Sequence, residues 1–135
     1  MANALYDKGR EGFLAGDIDW DGNNIKVLLS DDTDYVKNLS TDDYLDDIAS
    51  AAIEATSGNL TTKAVTAGVA DADNVTWSSV SGDECEEVVG YADTGASSTS
   101  RLIFNIDTAT GLPVTPNGGD IQVTWDDGSN KIFKL

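Results

Sequence analysis

The stretch DIDWDG places three aspartates at alternate positions before a glycine, which is how a calcium-binding loop can begin. An EF-hand loop has oxygen ligands at its first, third and fifth positions, glycine at the sixth and a bidentate glutamate at the twelfth. Asp17, Asp19 and Asp21 supply the first ligands and Gly22 the glycine, but the twelfth position is the apolar Leu28. The stretch is therefore predicted to connect a helix to a strand through local turn bonds. A looser surface calcium site at the three aspartates is the alternative.

The tripeptide DTG that begins at Asp93 has the sequence of the catalytic tripeptide of aspartic proteases. In retroviral-type members two short chains pair, so that two such aspartates share a proton. Those proteases also need a later apolar-apolar-glycine segment that braces the active-site loop, whereas here Gly111 follows alanine and threonine. We therefore predict a β-turn at the tripeptide, as at the similar segment IDTATG.

The chain has no histidine and a single cysteine, Cys85, which excludes several classes of site. Histidine-dependent catalysis, Cys/His zinc sites and intrachain disulfides cannot be built. The neighbouring Glu84, Glu86 and Glu87 would raise the pKa of the thiol, so Cys85 is predicted to be an unreactive, partly buried strand residue. The chain also lacks a nucleotide-binding fingerprint, and we predict that it is not an enzyme.

The charge balance is strongly acidic, with 24 acidic residues against 8 basic ones and a net charge of −16. Nucleic-acid binding depends on lysine and arginine side chains that neutralise phosphates, and anionic membrane surfaces repel the same acidic surface. No run approaches the ~18 apolar residues of a membrane-spanning helix, and the N-terminus lacks the apolar stretch of a signal peptide. We therefore expect a protein made in the cytoplasm, with no nucleic-acid or membrane partner.

Helical patterns are confined to the N-terminal half of what we expect to be one domain. Residues 3–14 have apolar side chains on one broad face of a helix that Gly16 would end. Residues 24–30, NIKVLLS, predict a strand that is covered on both faces. Residues 40–55 space apolar residues at helical intervals and predict a second helix. The alternative is that part of the segment is irregular, since the aspartates concentrated in it are poor helix formers.

Strand patterns dominate the rest of the chain. Trp77 and Trp125 alternate with polar residues, which predicts that both lie in the core. Residues 121–135 predict a hairpin that turns at Asp127-Gly128. The expected fold is mainly β, an antiparallel β-sandwich or barrel-like domain of about six to eight strands, with one or two short helices in the N-terminal half.

Three stretches resemble small virion structural proteins of tailed bacteriophages: NALYDKGREGFLAGDIDW, GVADADNVTWSSVSG and STSRLIFNIDTATGLPVTPNGGDIQVTWDDGSNKIFKL. The resemblance covers nearly the whole chain and is most specific in its last third. It implies a structural component of a virion that is synthesised in the host cytoplasm. The position within the virion is left open by the resemblance.

Within a virion, we expect a decoration or cement protein that binds the outer capsid shell and stabilises it. An N-terminal helical arm, residues 1–16, and a single antiparallel β domain, residues 17–135, can bury area at capsomer junctions, where symmetry multiplies weak contacts. The expected partners are the major capsid protein or other virion proteins, and further copies in a homo-oligomer. The alternative is a tail- or fibre-associated, adhesin-like binding protein in which DIDWDG would be a calcium loop. The residues predicted at the assembly interface are Leu5, Tyr6, Phe13, Ile132, Phe133 and Leu135.

Overall fold

Ten short strands and one α-helix form the regular structure of residues 3–135, which are the residues that the computed structural model describes. The helix, α1, spans Asp7–Ala15, and two single 3₁₀ turns span Leu45–Asp47 and Ser50–Ala52. In this part of the chain no helix is long and apolar enough to cross a membrane. The strands, in chain order, are β1 (Ala4–Leu5), β2 (Asn24–Ser30), β3 (Ile53–Thr56), β4 (Ala64–Thr66), β5 (Val69–Asp71), β6 (Val75–Trp77), β7 (Glu87–Asp93), β8 (Arg101–Ile106), β9 (Ile121–Val123) and β10 (Phe133–Lys134).

The strands form three antiparallel sheets in a sandwich-like arrangement. The largest sheet has the order β1-β8-β7-β2-β3, and the smaller ones have the orders β10-β5-β4 and β6-β9. None of the sheets in the described chain closes into a barrel. The mainly β class is therefore confirmed, and of its two forms the sandwich is the one adopted. The strand number exceeds the expected range because β1 and β10 are only two residues long.

One face of the five-stranded sheet packs against the two smaller sheets around the larger hydrophobic core. Every second residue of β2 points into this core, where Ile25, Val27 and Leu29 are at most 1% exposed. Trp77 and Trp125 belong to the same core, and the indole N–H of Trp77 donates to the backbone oxygen of Val27 at 3.3 Å. The alternation of apolar and polar residues around the two tryptophans thus correctly predicted their burial.

The opposite face of the same sheet is covered by the segment of residues 31–52 and by Tyr6. Leu28 of β2 and Val89 of β7 are fully buried on this face, where Tyr35 of the covering segment packs in the same cluster. The strand β2 is therefore covered on both faces, as its nearly continuous apolar run predicted.

A buried polar network fastens the covering segment to the sheet. The ammonium group of Lys37 donates to Glu87 at 3.1 Å, Asn105 at 3.2 Å and Asp107 at 2.6 Å. Asn105 in turn donates to Glu87 at 2.9 Å and to the hydroxyl of Tyr6 at 3.2 Å. Burial raises the pKa of Tyr6 above its usual value, so this hydroxyl stays neutral. A network whose polar groups are paired in this way holds its members in one arrangement.

The second helix predicted over residues 40–55 is wrong. These residues form the two single 3₁₀ turns and then β3, which pairs with β2. The carboxylate of Asp47 accepts the backbone N–H groups of Asp43 at 2.8 Å and Tyr44 at 3.5 Å. Such local bonds between aspartate and backbone compete with a continuous helix, which explains why the helical spacing misled the prediction.

The first helix begins at Asp7, four residues later than predicted, because β1 first pairs with β8. Its buried residues are Gly9 and Gly12, where an apolar face was expected. A Cβ atom at Gly9 would lie 2.7 Å from the backbone oxygen of Leu102, so glycine allows α1 to approach β8 closely. Gly16 ends the helix with φ +81°, as predicted.

The hairpin predicted over residues 121–135 is also wrong. The strand β9 pairs with β6, and β10 pairs with β5, so the two predicted arms belong to different sheets. The alternating pattern correctly identified both segments as strands. It could not identify their partners, which lie about 46 residues earlier for β9 and about 64 residues earlier for β10, because pairing over such separations leaves no local pattern.

Candidate functional site

The DIDWDG stretch joins α1 to β2 and is held by local turn bonds, as predicted. Asp19 Oδ1 accepts the N–H of Gly22 at 3.2 Å, and Asn23 Oδ1 accepts the N–H of Asp19 at 2.8 Å. Ile18 and Trp20 are buried, and both belong to the larger core. The helix-to-strand interpretation of this stretch is therefore confirmed.

The three aspartates of that stretch point to different partners. Asp17 lies 3.5 Å from the guanidinium of Arg101, Asp19 bonds within the turn, and Asp21 is exposed. Within residues 3–135, the acidic side chains whose oxygens lie close together are Asp31, Asp34 and Asp83, and none of the three DIDWDG aspartates is among them. Calcium binding by these three residues stays a prediction.

The DTG tripeptide forms a turn after β7. Asp93 Oδ1 accepts the N–H of Gly95 at 3.1 Å, and Asp93 Oδ2 lies 3.0 Å from Lys26 Nζ. The hydrogen bond from Lys26 holds the pKa of Asp93 below its usual value. An aspartic protease requires a second carboxylate that shares a proton with the first, whereas the partner of Asp93 is a cation. The geometry supports the predicted turn.

The single cysteine is enclosed and its thiol stays protonated. Cys85 is fully buried and bridges to Val114 through mutual backbone hydrogen bonds of 2.8 and 2.9 Å. Burial, followed by the nearby charges of Glu54 and Glu86, raises the pKa of Cys85 to about 12. Because the thiolate is the reactive form, these surroundings support the predicted low reactivity. Cys85 is fully buried where partial burial was predicted, and it lies in an isolated β-bridge just before β7 and not within a strand.

Two residues of the predicted assembly interface are buried inside the protein itself. Leu5 is 7% exposed and Tyr6 is not exposed at all, so neither has surface to offer a neighbour. Both lie in the predicted arm of residues 1–16, of which residues 1 and 2 lie outside the described residues. The rest of that arm lies along β8 through α1 and β1.

Three of the other predicted interface residues are among the last four residues of the chain, and the fourth, Phe13, packs against one of them. Phe133 is half-buried, and its ring centroid lies 5.9 Å from that of Phe13 and 5.2 Å from that of Trp20. Ile132 is also half-buried against the larger core. Leu135 is 57% exposed and donates its N–H to the backbone oxygen of Gly68. Of the six predicted residues, it is therefore the one that presents the most apolar surface to solvent.

The strand β4 has an open edge. It lies at the opposite side of the three-stranded sheet from β10. It pairs with β5 on one side, and all three of its residues, Ala64–Thr66, are exposed. No strand in residues 3–135 pairs with its other side. Val65 at its centre is 55% exposed. An open strand edge with an exposed apolar side chain is a ready place for another strand to add.

An acidic cluster that was not predicted from the sequence lies at the end of β2. Asp31, Asp34 and Asp83 each offer a carboxylate oxygen, and these oxygens all lie within 4.8 Å of one another. The first two belong to a stretch that the sequence marks only as an acidic loop, and the third lies in the loop before β7. Their spacing along the chain contains no metal-binding motif, so only the fold brings the third residue to the other two.

The comparisons with known proteins add no family to this description. No protein-family model matches the chain, and no curated protein matches its sequence. The functional proposals therefore depend on the geometry above and on the resemblance carried by the quoted stretches.

Proposed function

We propose that this protein is a non-enzymatic structural component of a tailed-bacteriophage virion, and that it decorates the outer capsid shell. The resemblance of its opening, middle and closing stretches to phage virion proteins supports the first part of this proposal. The second part rests on the open edge of β4, because a decoration protein must bind a repeated surface through a compact and accessible element. The partner in this proposal is an extended segment of the major capsid protein.

The hairpin β4-β5 fits the geometry of strand addition. Its two-residue turn, Ala67 and Gly68, has φ values of +53° and +78°, as a type I′ turn requires, and Thr66 and Val69 close the ladder. Since the hydrogen-bonded and non-hydrogen-bonded pairs of an antiparallel ladder alternate, the N–H and C=O of Val65 point away from β5. They are available to pair with an incoming strand.

The charge of the protein is compatible with an external position on a particle. A net charge of −16 on 135 residues keeps decorated particles apart in suspension through mutual repulsion. On an icosahedral shell each weak contact is repeated by symmetry, so even a short added strand contributes to a stable assembly. Neighbouring copies on the shell would then form the homo-oligomeric contacts that we also propose.

The experiment compares the incorporation of two matched variants into virions, with copy number measured by gel densitometry against the major capsid protein. Val65→Lys places a charge at the centre of the open edge, and Val36→Lys makes the same change at a valine that is 83% exposed elsewhere. Both sites are at the surface, so each change should alter folding stability by no more than about 0.5 kcal/mol. We expect Val65→Lys to reduce incorporation at least tenfold and Val36→Lys to leave it unchanged.

Copy number also separates the shell from the tail. Hundreds of copies of the unmodified protein per virion support the decoration proposal, whereas about a dozen or fewer would assign the protein to the tail or fibre. Its absence from purified virions would overturn the virion proposal itself. If both variants are incorporated normally, the protein does not attach to the shell through the edge of β4.

A further inference from the structure

We infer that Asp31, Asp34 and Asp83 form a binding site for one divalent cation, with calcium as the preferred ion. Asp31 comes directly after β2, Asp34 follows one turn later, and Asp83 lies in the loop that leads into β7. The three carboxylates come from two loops that the register of β2 and β7 places side by side, since Ser30 pairs with Glu87. One oxygen from each lies within 4.8 Å of the others.

Asp31 is the residue that distinguishes this cluster from an ordinary acidic surface. It is only 2% exposed, and its Oδ1 accepts the backbone N–H groups of Thr33 at 3.0 Å and Asp34 at 2.8 Å. Its other oxygen, Oδ2, is buried and has no hydrogen-bond partner in the described chain. A buried carboxylate oxygen without a donor is costly, and a cation at the cluster would supply the missing partner.

The surroundings of Asp31 contain further acids instead of a compensating base. The ion pairs among residues 3–135 involve none of Asp31, Asp34 and Asp83. Glu54 lies beside the cluster, with its carboxylate against Gly82, the residue before Asp83. Like charges held this close repel one another, and a divalent cation between them would relieve that repulsion.

The ligand chemistry favours calcium among the common divalent ions. The three ligand groups are carboxylate oxygens, and the sulfur of the nearby Cys85 is fully buried. Calcium binds oxygens at about 2.3–2.6 Å, so ligands on opposite sides of the ion lie up to about twice that distance apart. Oxygens that lie within 4.8 Å of one another can therefore bind one such ion together. Asp34 and Asp83 are exposed, so water can complete the irregular coordination that calcium accepts and magnesium does not.

A bound cation would tie together two parts of the molecule that are distant in sequence. Asp31 and Asp34 begin the segment of residues 31–52 that covers one face of the large sheet, and Asp83 belongs to the loop that enters its central strand β7. The ion would thus fasten one end of the covering segment to the sheet. Calcium binding to the folded state alone would then raise thermal stability.

The test measures calcium binding by isothermal titration calorimetry and thermal unfolding in CaCl₂ and in EDTA, at an ionic strength of about 0.15 M to screen diffuse attraction. We expect one calcium ion per chain and a rise in melting temperature of about 8–13 °C when calcium exceeds its dissociation constant about a hundredfold. Asp34→Ala removes an exposed ligand without altering the core, and it should weaken calcium binding at least tenfold.

Asp21→Ala is the matched control, since it removes an equally exposed aspartate from the DIDWDG stretch. It should leave calcium affinity and the calcium-dependent rise in melting temperature unchanged. The inference is overturned if calcium produces neither heat nor a change in melting temperature. It is equally overturned if Asp34→Ala binds like the unmodified protein, if Asp21→Ala abolishes binding, or if magnesium stabilises the fold and calcium does not. Because these measurements use the isolated protein, their outcome is independent of the virion proposal.

Discussion

Replacing Lys37 by methionine would remove the cation that residues 3–135 supply to the network that fastens the covering segment to the large sheet. Its side chain is 9% exposed, and the side chains of its two ion-pair partners, Glu87 and Asp107, are 4% and 11% exposed. Methionine keeps most of the aliphatic volume of lysine, so the change tests the charge and not the packing. After the substitution, Glu87 keeps a hydrogen bond from Asn105 but has no ion-pair partner within residues 3–135.

The expected cost follows from the burial of the carboxylates that remain. Removing one partner of a buried ion pair costs about 3–5 kcal/mol, because the other charge stays in a poorly solvated place. A domain of this size has a total stability of about 5–15 kcal/mol. We therefore expect Lys37→Met to remove about a fifth or more of the free energy of unfolding. At about 3–5 °C per kcal/mol, the melting temperature should fall by at least about 10 °C.

Urea unfolding followed by tryptophan fluorescence measures this loss, since all three tryptophans are buried in the native state. The control is Lys8→Met, which breaks a surface pair with Glu11 whose side chains are 36% and 59% exposed. That change should cost no more than about 0.5 kcal/mol. Adding Glu87→Gln to Lys37→Met should restore at least about 1 kcal/mol by removing the unpaired charge. A loss below about 1 kcal/mol for Lys37→Met would refute the view that this cation holds the segment in place.

Three further outcomes test other parts of the structure. The hydrogen bond from Lys26 lowers the pKa of Asp93, so its stabilising effect is present above the unfolded-state pKa and is lost as the pH falls through the folded-state pKa. Asp93→Asn should therefore cost about 1 kcal/mol at pH 7 in urea titrations, and this cost should shrink as the pH falls through the folded-state pKa. Gly90→Ala should cost about 1–3 kcal/mol in the same assay, because the added Cβ would clash with the ring of Phe104, and no loss would show that the ring moves freely. Cys85, whose pKa is raised to about 12, should resist a thiol reagent at mildly alkaline pH until urea unfolds the chain, and rapid labelling of the native protein would contradict its burial.

The success of the sequence-based predictions depended on whether the deciding interactions were local. The alternation of apolar residues identified β2 as a strand covered on both faces, and it placed Trp77 and Trp125 in the core, because side-chain direction in a strand follows position alone. The predicted helix over residues 40–55 failed because aspartate side chains bond to nearby backbone, which outweighs apolar spacing. The predicted hairpin over residues 121–135 failed because both of its strands pair with segments much earlier in the chain.

Whether a candidate site could be predicted from the sequence also depended on whether its residues are close together along the chain. The DIDWDG stretch and the DTG tripeptide attracted chemical interpretations because their residues are contiguous, and both are turns whose carboxylates bond within a few residues or to one cation. The acidic cluster carries no such motif, since Asp83 reaches Asp31 only through the pairing of β2 with β7. The open edge of β4 was equally hidden, because whether an edge is open depends on the order of strands in the folded sheet.

A buried carboxylate lies at each end of the segment of residues 31–37, Asp31 at one end and Glu87 beside Lys37 at the other, and the two differ in what neutralises them. At one end Lys37 supplies a cation to Glu87 and Asp107 from within the chain. At the other end Asp31 is as deeply buried, yet it lies among Asp34, Asp83 and Glu54 with no lysine or arginine paired to it in residues 3–135. Since the burial is similar and the internal cation is present at only one end, the second end needs a cation from solution for the same physical reason that the first end needs Lys37.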